Sequence, residues 1–212
     1  MTAFRRGLIR GSSSELILLH LVTVTLQLPL DRILNQGPAP ALLFTASHGV
    51  GYPKDHPHQR DFQGALVTQE WSYLLSSPNP DDHLFAATDI QANANLHGMI
   101  AFHFACYGLG TPRFNNFKYQ DGEAKLTEVP FVARLPQKLL SHSNGGALAV
   151  IGHVDRAWSS SFKNKTVKQW SVFQSALTCL MKGRPVGYAM EYFNQEYAEL
   201  VLCQSTFDGL IF

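Results

Sequence analysis

Ala41-Leu42-Leu43-Phe44-Thr45-Ala46-Ser47-His48-Gly49 is an apolar run that ends on His-Gly. It reads as a buried strand over Ala41 to Ala46, entered through the loop Gln36-Gly37-Pro38-Ala39-Pro40. A second run, Met99-Ile100-Ala101-Phe102-His103-Phe104-Ala105-Cys106-Tyr107-Gly108, reads as a strand over Gly98 to Ala105 that ends on Ala-Cys. Asn144-Gly145-Gly146 turns the chain into a third strand, Ala147 to Val154. Helical patterns accompany the strands over Phe131 to Leu140, Thr166 to Met181 and Pro185 to Leu202. Pro130 suits the first turn of the first helix, while Pro136 sits awkwardly inside it. Strands that are apolar throughout and alternate with helices predict an α/β fold with a mostly parallel sheet covered on both faces. Ligands of such sheets bind beyond the carboxyl ends of the strands. His48, Cys106 and Asp155 all stand at such ends.

The rest of the chain is less regular. Residues 1–14 read as a loose end broken by Gly11-Ser12-Ser13-Ser14. In residues 15–28, Val22, Val24, Leu26 and Leu28 alternate like a strand, whereas Leu16 to Leu21 also fits a helix. Residues 1–40 are therefore expected to be a poorly defined segment ahead of one domain over 41–212. The polar stretch 49–83 directly follows His48 and carries loop signals at Val50-Gly51-Tyr52-Pro53 and Pro78-Asn79-Pro80-Asp81-Asp82. Gly64 to Thr68 suggests a short strand of a surface hairpin, and Thr88 to His97 a short helix or turn. A long irregular segment inside a compact domain tends to be functional.

The 212 residues suit one domain with a full core. A net charge of +1 gives no electrostatic case for nucleic acid or for an acidic membrane surface. The three cysteines, Cys106, Cys179 and Cys203, form no disulfide framework and no Cys-x-x-Cys pair, which points to a reducing, cytoplasmic setting. Arg5 and Arg6 ahead of Leu16 to Leu30 resemble a signal sequence. The apolar stretch is interrupted by His20, Gln27 and threonines, and it is too short and polar to span a membrane.

A cysteine is a strong nucleophile as thiolate, and a neighbouring imidazole can move the protons of acyl transfer. Cys106 as nucleophile, His48 as its partner, and the Gly49 and Cys106 amides as an oxyanion hole form a set fit for peptide hydrolysis. The His-Gly and Ala-Cys strand ends resemble the hallmark of the caspase-like clan of cysteine peptidases. In caspases the histidine lies roughly 50 residues ahead of a Gln-Ala-Cys-x-Gly motif. Here 58 residues separate the pair, and Phe104 stands where that motif has glutamine. The chain is accordingly more similar to the bacterial gingipain-like and CHAT-domain members than to caspases proper. The resemblance covers about residues 40–200. It implies a caspase-like three-layer α/β fold, a Cys106–His48 dyad and no cofactor. It also implies a substrate pocket drawing on Gly152 to Trp158: Asp155 there would select a basic residue, Arg156 an acidic one, with Trp158 alongside. The clan's sheet has two strands ahead of the histidine strand. Only 40 residues precede Ala41, so part of the usual fold is expected to be missing or to lie on a longer protein.

The same residues leave two other readings open. One is an inactive or truncated caspase-like module for interaction or regulation, partnered by a further domain. The other is a thiol enzyme acting on a small amide. Cys179 and Cys203 read as packing thiols and His103 as an interior residue. His56 and His58 have the spacing of a metal pair but are read as solvated loop residues, so no metal is expected.

Overall fold

The structure, a computed structural model, describes residues 4–10, 16–22, 30–68, 83–115, 125–158, 163–164, 167–168 and 170–208. The stretch containing Val24, Leu26 and Leu28, the loop Pro78 to Asp82 and the Cys203 side chain lie outside what it describes. The chain divides into two compact units, Met1–Ala157 and Trp158–Phe212. The N-terminal strand residues Phe4–Arg10 and Leu16–Val22 belong to the first unit.

The first unit is organised by five strands: β1 (Phe4–Arg10), β2 (Leu16–Val22), β3 (Leu42–Ala46), β6 (Ile100–Phe104) and β9 (Ala149–Gly152). Their order in the sheet is β1-β2-β3-β6-β9. β2, β3, β6 and β9 run parallel, and β1 closes one edge antiparallel to β2. The N-terminal stretch that reads as a loose end thus supplies two strands. Between them stands Gly-Ser-Ser-Ser, a sequence as suited to joining a hairpin as to ending a domain.

Successive residues of a strand face opposite sides of the sheet. Leu43 and Ala101 lie in register on one side, Phe44 and Phe102 on the other, and all four are buried. This is why β3 and β6 are apolar without alternation. Leu43, Ala101 and Ala105 join a core with Leu34, Leu135 and Leu139. Leu34 comes from a π-helical turn, Arg32–Gln36, and the latter two from α2 (Arg134–Leu140). On the other side the Phe44 and Phe102 rings meet edge to face at 5.2 Å.

The helix expected from Phe131 begins at Arg134. Phe131–Val132 instead form a strand, β8, paired with β7 (Gly110–Thr111). Pro136 then falls in the first turn of α2, where a missing N–H costs no intrahelical bond. The short strand expected near Gly64 is β4 (Leu66–Val67), paired antiparallel with β5 (Leu84–Phe85). Leu66, Leu84 and Phe85 are each 1% exposed, so this hairpin is core and not surface. A short helix α1 (Gln59–Phe62) precedes it, and a single 3-10 turn, Ala87–Asp89, follows.

In the second unit, β10 (Lys163–Asn164) pairs antiparallel with β11 (Val167–Lys168), and two helices follow, α3 (Trp170–Met181) and α4 (Val186–Asp208). The helix expected from Thr166 starts at Trp170 because Val167 and Lys168 are taken by this small hairpin. α3 stops at Gly183, whose φ of +69° lets the Arg184 N–H turn back to the Cys179 carbonyl at 3.1 Å. The Phe173 and Phe193 rings join α3 to α4 at 5.0 Å. Among the described residues, no helix is long and apolar enough to cross a membrane.

Candidate active site

β3 and β6 are neighbours in register, so the chains leaving their carboxyl ends emerge side by side. The Ser47 N–H still donates to the Phe104 carbonyl at 3.1 Å. The next residues of the β3 chain turn to pair with β4. The Val67 N–H donates to the His48 carbonyl at 2.8 Å, and the Val50 N–H to the Ala65 carbonyl at 3.0 Å. Gly49, bridged to Leu66 between these bonds, directs its own peptide groups away from β4.

On that other side stands Cys106. A Cβ added to Gly49 would overlap the Cys106 carbonyl oxygen and lie 2.9 Å from the Cys106 nitrogen. Standard bond lengths then hold the His48 and Cys106 Cα atoms within about 10 Å of each other. Glycine is required here by close approach alone. Gly49→Ala is expected to cost about 1–3 kcal/mol of stability, read by urea unfolding, because backbone on both sides must give way.

His48 is exposed, and Cys106 and Gly49 are half-buried. Among the described residues the Cys106 thiol hydrogen-bonds Ala157 alone: its Sγ accepts the Ala157 N–H at 3.3 Å and its S–H donates to the Ala157 carbonyl at 3.5 Å. The Gly49 and Cys106 amides donate to no acceptor among the described residues. A half-open thiol, an exposed imidazole and two adjoining uncommitted amides therefore occupy one rim of the sheet.

Asp155 and Arg156 also reach this rim, since the Tyr107 N–H donates to the Asp155 carbonyl at 2.8 Å. Both have partners inside the chain. Asp155 Oδ1 accepts the Arg156 N–H at 2.8 Å. The nearby Tyr107 hydroxyl raises the Arg156 guanidinium above its usual range, and Arg156 lies within electrostatic reach of Cys106. Burial pushes the Tyr107 hydroxyl up, against the lowering effect of the neighbouring Arg156 charge. Trp158 is exposed. Beyond Cys106 an open apolar hollow of ≈ 360 Å³ lies between Leu109 to Pro112, Pro130 to Val132 and Val154.

The loop after His48 is anchored by side chains that carry no signature in the sequence. Gln59 and Gln63 are buried: Gln59 Nε2 donates to the Leu126 carbonyl at 2.7 Å, and Gln63 Oε1 accepts the Tyr52 N–H at 2.6 Å. The His56 ring stacks on Tyr52 at 4.7 Å and meets His58 edge-on at 5.3 Å. Cys179 belongs to the second unit, where its Sγ lies 3.7 Å from the Tyr192 hydroxyl.

His103 is a core residue on the strand that delivers the thiol. Its Nδ1 meets the Thr45 hydroxyl at 2.7 Å, and its buried Nε2 has no hydrogen-bond partner among the described residues. Burial lowers His103 from 6.5 to about 4, and it lowers His153 as well, against a bond to the His103 backbone. A histidine depressed in the folded state binds its proton first in the unfolded chain. Stability held above pH 6.5 is therefore lost as the pH falls towards 4, by about 3 kcal/mol for His103. Urea unfolding at pH 7 and pH 4.5 measures this, and His103→Phe is expected to flatten the difference.

The chain matches no protein-family model, no curated protein and no solved structure. The class of the protein accordingly rests on its own geometry: a mixed α/β protein with a mostly parallel sheet and reactive side chains at the carboxyl ends of two adjacent strands.

Proposed function

We propose that this chain is a caspase-like cysteine endopeptidase of three-layer α/β type, with Cys106 as nucleophile and His48 as its proton-transfer partner. The reading is carried by the Gly49–Cys106 contact, which brings the thiol, the imidazole and two unpaired amides to one half-exposed rim. In the reaction His48 takes the Cys106 thiol proton as the sulfur bonds to the scissile carbonyl carbon. The carbonyl oxygen takes up negative charge beside the Gly49 and Cys106 amides. His48 gives a proton to the leaving amine as the C–N bond breaks, and then takes one from the water that releases the acyl group. The four parallel strands and their order support the fold half of this reading. Beside the Asp155–Arg156 segment, the apolar hollow next to Val132 and Val154 is the receptacle we assign to a substrate side chain.

A library of internally quenched peptides tests the proposal. The expected result is cleavage that depends on a large apolar residue near the scissile bond and is inhibited by thiol alkylation. Absence of turnover in a folded chain with its cysteines reduced would leave the interaction module as the better reading.

A further inference from the structure

His103 is 1% exposed, yet its Nε2 has no hydrogen-bond partner among the described residues. Burying a polar atom unpaired destabilises a fold, and a phenyl ring would fill the same place without that loss. The imidazole differs from a phenyl ring in its other nitrogen, which meets the buried Thr45 hydroxyl at 2.7 Å. Thr45 and His103 are register partners on β3 and β6, each three places ahead of its strand's reactive residue, His48 or Cys106. Beyond His103 the chain makes a four-residue turn, closed by the Gly108 N–H donating to the Ala105 carbonyl at 3.2 Å, with Cys106 and Tyr107 at its corners. The turn folds back over His103: a Cβ added to Gly108 would lie 3.5 Å from the His103 Cβ. One buried side chain thus lies beneath the Cys106 turn and is bonded to the strand that delivers His48.

We propose that His103 is a positioning residue: a buried strut, fixed in rotation by the Thr45 hydroxyl, on which the Cys106 turn rests, so that thiol and imidazole keep their separation at the rim. This rests on reading Cys106 and His48 as the reacting pair, and it adds what fixes one against the other. The pairing of β3 with β6 ends at Ala46 and Phe104, before either reactive residue. Among the described residues, the last backbone bond between the two chains is the one from the Ser47 N–H to the Phe104 carbonyl. Past that point the turn is tied to the chain leaving β9, through the Tyr107 N–H to the Asp155 carbonyl at 2.8 Å and the Leu109 N–H to the His153 carbonyl at 2.9 Å. The link back to the β3 side runs through the His103 ring and Thr45.

The test is amide hydrogen exchange of the full chain at pH 7, read by mass spectrometry over Tyr107 to Leu109. Thr45→Val keeps the shape of the side chain and removes the hydroxyl; His103→Asn keeps a polar group near the Nδ1 position and withdraws the rest of the ring from under Gly108. In each, exchange in the turn is expected to rise about tenfold, while β9 and α2 stay within about twofold of the wild type. Thr45→Ser keeps the hydroxyl and is expected to keep the wild-type turn. His103→Asn decides alone if Thr45→Val does not fold. A turn that exchanges as in the wild type would overturn the proposal, and so would a rise of one common factor throughout the sheet, the mark of a merely structural bond. Peptide cleavage is scored separately. In a cleaving wild type, Thr45→Val is expected to lower kcat about tenfold with KM held, and an unchanged kcat beside a loosened turn would overturn the positioning role. A wild type that cleaves nothing counts against the peptidase reading and leaves the exchange result to decide the strut.

Discussion

Cys106→Ala is expected to lower peptide turnover roughly a millionfold, the scale on which removing a hydrolase nucleophile acts. The fold should hardly notice. Among the described residues the half-exposed thiol belongs to no apolar cluster and its hydrogen bonds go only to the Ala157 backbone. Water can take up the Ala157 N–H in the variant, so a stability change within about 1 kcal/mol is expected. This separates Cys106 from its strand neighbours. Ala101 and Ala105 have no exposed surface, and enlarging either would disturb the contact of β6 with Leu135 and Leu139. Steady-state hydrolysis and a thermal melt on the same preparation check both halves of the expectation.

The second large effect is His48→Ala, for which kcat should fall by about 10²–10⁴-fold with little change in KM, the signature of lost proton transfer. The His48 side chain is exposed, and the local backbone does not depend on it. The His48 carbonyl is held by the Val67 N–H at 2.8 Å and the Ser47 hydroxyl at 3.0 Å, and neither bond uses the ring. His56→Ala provides the contrast. That ring stacks on Tyr52 in the same loop, so its loss should touch loop packing and leave kcat near the wild-type value. Equal losses at both positions would mean that the loop, not the imidazole, is what matters.

Much of this arrangement is legible in the chain. Leu42–Ala46 and Ile100–Phe104 are buried enough to be written almost wholly in apolar residues, Ala149–Gly152 is half-buried and apolar, and their parallel pairing follows from the long connections between them. β1 and β2 are less readable. Arg5, Arg6 and Arg10 make β1 look solvent-bound, and Leu16 to Leu21 has no period that separates strand from helix. At the rim, His48 and Cys106 announce themselves by residue type, but their supports do not. Tyr107 sits in a left-handed turn while a glycine stands one place later, and the Ala157 amide leaves no mark in the sequence. Asp155 and Arg156 look like free charges on paper. Only the folded chain shows the first bonded to its neighbour's N–H and the second set near a tyrosine 49 positions away.

The central claim, that Cys106 and His48 act together on a peptide carbonyl, is met most directly by incubating the chain with a peptide that carries a chloromethyl ketone at its carboxyl end and mapping the adduct. The predicted result is one adduct per chain, on Cys106, formed far more slowly in His48→Ala and absent from Cys106→Ala. An adduct that favours Cys179, or one whose rate is indifferent to His48, would contradict it.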